Sequence, residues 1–301
     1  LAAKADVYEI VTNKIIESLE KGTVPWHQPW KTVGGPRNLQ SKRPYRGINA
    51  FLLGMLPYSS PFWTTYKGAA ANNAVVRKGE KGTLVVFWRV LEVDDPQAKD
   101  GKKRIPMLRY YTVFNVEQLD PLDPTQPIKL PKQEELDEFD AIEDAEKVVT
   151  DFLATDGNLK FVEGGNRAFY RPADDKVTVP NRKQFEDSES FYATTFHEFV
   201  HATGHESRLG RVKDWANFGS DPYAKEELVA EMGAAMVSGT IGIDARAETS
   251  AGYIASWLKV LKDDKKFVVS AGAQAQKAAD LILGRSFDNA GAEAPAQEVT
   301  A

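Results

Sequence analysis

Three of the chain's four histidines fall within nine residues, and two of them bound the segment His197-Glu198-Phe199-Val200-His201. Residues four apart lie on one face of an α-helix, so both imidazoles can reach one point in space. Two histidines so placed, with a glutamate between them, are the pattern that holds a tetrahedral zinc ion in a metallopeptidase. Glu198 then faces the open coordination position, where it can take a proton from water as general base. With so few histidines in 301 residues, their clustering argues for a metal centre over coincidence.

Such a site needs a third protein ligand. A histidine at position 207 would complete the metzincin pattern, but that position is serine. His205 follows Gly204 too closely to swing back onto the same ion, and a polar role at the helix end suits it better. Further on stand Glu226, Glu227 and Glu231. Glu227 and Glu231 are spaced i, i+4, so both can face the site. That matches the gluzincin arrangement, in which one carboxylate binds the metal and a second, one turn on, supports a ligand histidine. Glu227 is the expected ligand and Glu231 the expected support. The expected cofactor is Zn2+ or another divalent ion.

The elements that must position these groups are legible from periodicity. Residues 188–203 read as the helix carrying the motif, ended by Gly204 at the C′ position. Residues 141–155, 222–237, 251–261 and 267–283 read as further helices, and 161–162, 168–171 and 176–179 as short strands. The strand pair around residues 168–179 is expected beside the cleft, where an edge can take an extended peptide. Upstream, residues 8–19 repeat apolar side chains at helical spacing, and 48–56 and 66–73 read as short helices. Residues 83–93 and 108–116 are strong β patterns, with a hairpin loop over 94–104.

Four prolines between Pro121 and Pro131 mark a linker. The expected organisation is α+β in two domains: 1–125, a linker over 126–138, and 139–288 with a small antiparallel sheet and the metal-site helices. Residues 289–301 read as a disordered tail. Composition agrees with a soluble globular protein, at 42% hydrophobic and 27% charged residues. No apolar run reaches the ~20 residues of a membrane span, and no basic-then-apolar leader is seen. The absence of cysteine fits a reducing cytoplasm.

The net charge of −5 is unevenly placed. Residues 1–125 hold 18 Lys/Arg and 12 Asp/Glu, a net of +6, which leaves −11 for the remainder. In the basic half, aromatic and cationic side chains alternate: Trp26, Trp30, Lys42, Arg43 and Arg46, then Trp63, Tyr66 and Lys67, then Arg77, Lys78 and Lys81. Bases stack on aromatics while cations track phosphates, so these eleven residues are the expected contacts to single-stranded nucleic acid. The alternative is that the tryptophans are core and the cations merely solvated.

The stretches VPWHQPW, RPYRGINAFLL, WTTYKGAA and VRKGEKGTLVVFW resemble the N-terminal domain of ArdC-type antirestriction proteins. YATTFHEFVHATGH and KEELVAEMGAAM are similar to the zincin-like metallopeptidase domain that accompanies it. The resemblance covers nearly the whole chain. It implies sequence-nonspecific binding of single-stranded DNA and protection of incoming DNA from host restriction. It also implies carriage on conjugative plasmids and a place in the bacterial cytoplasm. A peptidase so tethered would meet protein substrates on or near DNA. The alternative is a protein that protects by coating single-stranded DNA, its metallopeptidase domain being structural.

Overall fold

Capping side chains and apolar spacing set most helix boundaries. The computed structural model describes residues 6–27, 35–94, 102–131, 141–155, 157–212, 220–243 and 251–285. In chain order these form α1 (Val7–Glu20), β1 (Arg37–Asn38), α2 (Ile48–Gly54), β2 (Phe62–Thr64), α3 (Tyr66–Ala71), β3 (Ala74–Val76), β4 (Thr83–Asp94), β5 (Lys102–Asn115) and β6 (Leu119–Pro121). There follow α4 (Ala141–Thr155), β7 (Lys160–Glu163), β8 (Phe169–Arg171), β9 (Lys176–Val179), α5 (Ser188–Thr203), α6 (Asp221–Ile241), α7 (Ala251–Asp263) and α8 (Phe267–Ile282). The expected tail over 289–301 and most of the expected linker lie outside the described residues.

Asp187 starts α5 by accepting from the Ser190 amide, and Ser220 starts α6 by accepting from that of Tyr223. Each satisfies a backbone donor that the first turn leaves free. Gly204 ends α5 as its C-cap, one position earlier than the C′ place expected, and at φ −72° it is right-handed. Its small size matters for another reason. A Cβ there would lie 2.9 Å from Val212 Cγ2, so the returning chain packs directly on the helix end.

In the N-terminal half the sheet order is β1-β2-β5-β4, with β4 at an edge. The β4–β5 ladder runs from Thr83↔Val113 out to Asp94↔Lys102, further than expected. An ion pair between Lys102 and Glu92 at 3.5 Å supports the extension.

The C-terminal sheet has the order β7-β9-β8 and is mixed, where an antiparallel sheet was expected. The β8–β9 hairpin folds back so that β9 lies beside β7, and both run opposite to β8. That leaves β8 at the edge.

One core runs through both halves. Val11, Ile15, Trp26 and Phe51 share it with Phe196, Phe199, Leu228, Trp257 and Val268. Polar contacts cross the same seam: Thr12 Oγ1 donates to the Lys265 carbonyl at 2.6 Å, and Arg46 ion-pairs with the buried Asp280. No helix among the described residues is long and apolar enough to cross a membrane.

Beside the motif helix, Arg182 ties three elements together. It bonds Glu146 of α4 at 2.8 Å, Glu163 of β7 at 3.1 Å and the Tyr192 hydroxyl of α5 at 3.0 Å, and lies 4.6 Å from the Phe191 ring centre. The Arg182 hydrogen bond outweighs burial and holds the Glu146 carboxyl below its usual range. Burial and Glu146 push the Tyr192 phenol up to about 12. A depressed carboxylate stabilises above its unfolded pKa, and that stability is lost as pH falls through the folded value. Arg182→Ala is expected to cost about 1 kcal/mol at neutral pH after allowance for its half-exposed guanidinium, or about 2–4 °C in Tm. Thermal melts should show the deficit shrinking towards pH 3; a deficit constant with pH would refute the assignment.

Candidate metal centre

Helices α5 and α6 pack closely because Gly233 faces Val200. A Cβ on Gly233 would come within 2.8 Å of Val200 Cγ2. This approach brings Glu227 opposite the two motif histidines. His197 Nε2 and His201 Nε2 are 3.1 Å apart, and Glu227 oxygens lie 3.5 Å and 3.4 Å from them. Zinc bonds of about 2.0–2.2 Å in a tetrahedral shell space neighbouring ligand atoms about 3.3–3.6 Å apart. The triangle of two imidazole nitrogens and a carboxylate therefore fits a divalent ion in both size and donor chemistry.

Each imidazole is oriented from behind. His197 Nδ1 lies 3.7 Å from Glu231, and His201 Nδ1 lies 3.2 Å from Glu226. Carboxylates in these positions favour the tautomer whose Nε2 faces the ion and increase its basicity. Burial alone would lower both histidines, yet the surrounding carboxylates hold them above their usual range, His201 well above. Glu227, despite burial, is kept well below the carboxylate range by its bonds to both histidines.

Glu226 is the group that sequence reasoning did not single out. Its carboxylate also takes a two-point contact from Arg211, at 2.6 Å and 3.2 Å. Arg211 in turn bonds the Val200 carbonyl and the Thr203 hydroxyl, each at 2.6 Å, which ties it to the last turn of α5. Helical spacing favoured Glu227 with Glu231. Only the crossing of α6 over α5 lets two consecutive glutamates straddle His201. Glu226→Gln is expected to weaken metal affinity about 10–100-fold, as loss of such outer support does. Isothermal titration with Zn2+ checks this, and unchanged affinity would remove Glu226 from the centre.

Glu198 is buried, at 7% exposure, and the backbone N–H of Tyr170 in β8 donates to its carboxylate. Burial raises its pKa, opposed by the neighbouring histidines. The cleft in front, about 400 Å³, is lined among others by Phe169, Tyr170, His197, Glu198, Tyr223, Glu227 and Tyr253. The Tyr223 phenol bonds Glu227 and lies 3.4 Å from the Tyr253 hydroxyl. His205 stays apart from the cluster, its Nδ1 2.8 Å from the Ser207 hydroxyl.

The expected nucleic-acid contacts fare unevenly. Trp26 and Trp63, both 2% exposed, must be withdrawn as stacking surfaces. Trp26 packs edge-on against Phe51 and Trp257, and Trp63 against Tyr58, because burying indole area outweighs leaving it in water. Trp30 lies outside the described residues. Tyr66, Lys42, Arg43, Lys67, Lys78 and Lys81 are exposed. Arg46 and Arg77 are also accessible but are engaged by Asp280 and by Glu80 with Asp120.

Fold and site together define a zincin-like metallopeptidase domain, and residues 147–274 match the family of that description. Residues 5–114 match the N-terminal domain of anti-restriction factor ArdC. The chain belongs to the ArdC antirestriction family: it is 37% identical to the antirestriction ArdC protein from the R388 plasmid in a metal-free crystal structure, with a TM-score of 0.72 over 93% of this chain and 97% of that one. A Mn(II)-bound structure of the same protein gives 36% identity and a TM-score of 0.75, covering 93% and 98%. Uncharacterized protein y4eC of Sinorhizobium fredii (strain NBRC 101917 / NGR234) is 36% identical over 94% of this chain and 93% of its own length. Two proteins named DNA primase TraC from Escherichia coli are 40% and 37% identical over 93% of this chain. This chain spans only 20% and 27% of their lengths.

Proposed function

We propose that this protein is an antirestriction factor that binds single-stranded DNA without sequence preference and hydrolyses peptide bonds at a zinc-dependent centre. The observation that carries the catalytic part is Glu198, a buried carboxylate beside the His197, His201 and Glu227 triangle, for which a purely structural metal site has no use. His197, His201 and Glu227 would hold the ion, with Glu226 and Glu231 fixing the imidazoles. The bound ion supplies Lewis-acid polarisation of a carbonyl and acidifies water.

Glu198, held in place by the Tyr170 amide, accepts the proton of the attacking water and returns it to the departing amine. Its raised pKa brings it nearer neutral pH, which favours both transfers. Strand β8, at the sheet edge and lining the cleft, suits an extended peptide. The net +6 of residues 1–125 supports contact with a polyanion, and tethering to DNA would raise the local concentration of DNA-bound protein substrates.

The test uses the metal-loaded protein with a basic DNA-binding protein as substrate, with and without oligo(dT). Cleavage is expected to need the metal and to accelerate when oligo(dT) binds both proteins. Tight binding of oligo(dT) with no cleavage under any condition would favour the coating alternative.

A further inference from the structure

We propose that the outward half of the β4–β5 hairpin is the surface on which bases of single-stranded DNA stack, with Trp88 and Tyr110 as the stacking rings. This rests on the DNA-binding reading above and replaces the buried Trp26 and Trp63 as its aromatic part.

The ladder pairs Trp88 with Leu108 and Val86 with Tyr110, so all four side chains share one face of the hairpin. Val86 and Leu108 are buried against the core, which anchors that face. Trp88 and Tyr110, diagonal neighbours on it, are 45% and 42% exposed. Both are large rings held on a rigid two-stranded support. Trp88 also meets the Tyr8 ring edge-on at 6.4 Å, and the Lys266 ammonium lies 5.7 Å from the centre of that Tyr8 ring. A cation at the start of α8 thus shares the Tyr8 ring with Trp88.

The charge pattern selects the occupant. Lys102 lies on the face that carries Trp88 and Tyr110, while Arg89, Arg109 and Lys103, at the alternate positions, lie on the opposite face. Protein interfaces deplete lysine and concentrate apolar area at their centre. Exposed rings with Lys102 further along the same face and Lys266 beside Tyr8 offer what a single strand requires, rings for the bases and cations for the phosphates. The half of the chain that carries the hairpin has the net positive charge.

The experiment measures binding of fluorescein-labelled oligo(dT) by anisotropy for the full chain and for Trp88→Ala, Tyr110→Ala and the double variant. Each single variant is expected to lose about 5–100-fold in affinity, the equivalent of one stacked base. Lys266→Ala should instead reduce the slope of log affinity against log salt by about 0.7. Photocrosslinking of bromodeoxyuridine-substituted oligonucleotides to the wild-type protein, mapped by mass spectrometry, reads the same contact without any substitution and should mark Trp88 or Tyr110. Wild-type affinity in the double variant, with crosslinks elsewhere, overturns the proposal while leaving DNA binding itself intact. If sedimentation then shows that the double variant has lost a dimer, the face is a self-association surface. Failure of the wild-type chain to bind oligo(dT) at all overturns the proposal together with the DNA-binding reading.

Discussion

Glu198→Gln is expected to slow peptide hydrolysis by about 10²–10⁴-fold, the usual contribution of a positioned general base, while metal affinity stays near that of the wild type. Glutamine keeps the size and one acceptor oxygen but cannot take a proton. The three groups that surround the metal position, His197, His201 and Glu227, are untouched. Metal titration and hydrolysis assays on the same preparation check both halves of the expectation, and a variant that hydrolyses at the wild-type rate removes Glu198 from the chemistry.

Stability should move the other way. A buried carboxyl with a raised pKa destabilises the fold increasingly as pH rises above its unfolded value, because the ionised form is disfavoured inside. The neutral amide lifts that cost, so Glu198→Gln should melt at or above the wild-type temperature at pH 7 and differ little at pH 4. Plasmid-transfer assays with the same variant separate the two functional readings. If it protects incoming DNA as well as wild type does, hydrolysis is not the protective step and DNA coating is.

The second large effect is expected from the metal itself. A divalent ion held by the folded protein alone, at 100 times its dissociation constant, stabilises by about 2.7 kcal/mol, which is about 5–11 °C in Tm for a chain of this class. Glu227→Ala should abolish that gain, because two imidazoles alone make a weak site for zinc or manganese. The gain should also depend on pH. In the metal-free protein both histidines are held above their usual range by Glu227, Glu226 and Glu231.

Their raised values stabilise the metal-free fold below the unfolded histidine range, and that contribution is lost as pH rises through the folded values. A metal ion needs both imidazoles neutral at Nε2, so it competes with those protons. The metal-induced rise in Tm should therefore be largest near pH 8 and shrink towards pH 6. Scanning calorimetry across that range, with and without Zn2+ or Mn2+, reads it directly. A rise that persists in Glu227→Ala, or that grows as pH falls, would place the ion elsewhere.

How much of this was written in the chain depends on the range over which each feature is encoded. The i, i+4 spacing of His197 and His201, with Glu198 between them, is a property of one helix and was legible without a fold. So were the helices themselves, since caps such as Asp187 and apolar repeats act within a few residues. The choice of Glu227 followed from spacing against Glu231, and the structure brings both to the histidines. Glu226 was not legible, because its role comes from the angle at which α6 crosses α5, and Gly233 permits that approach.

The aromatic residues show the same limit most plainly. Trp26, Trp63 and Trp88 are chemically identical in the sequence, and local pattern places Trp88 in a strand but leaves the burial of all three open. Which indole is buried depends on partners far along the chain: Trp257 covers Trp26, and Val85 and Val113 help enclose Trp63. Trp88 lies where the hairpin extends past the core, so part of its ring remains in solvent. Local spacing determined the metal chemistry; long-range packing decided which rings were left to meet a ligand.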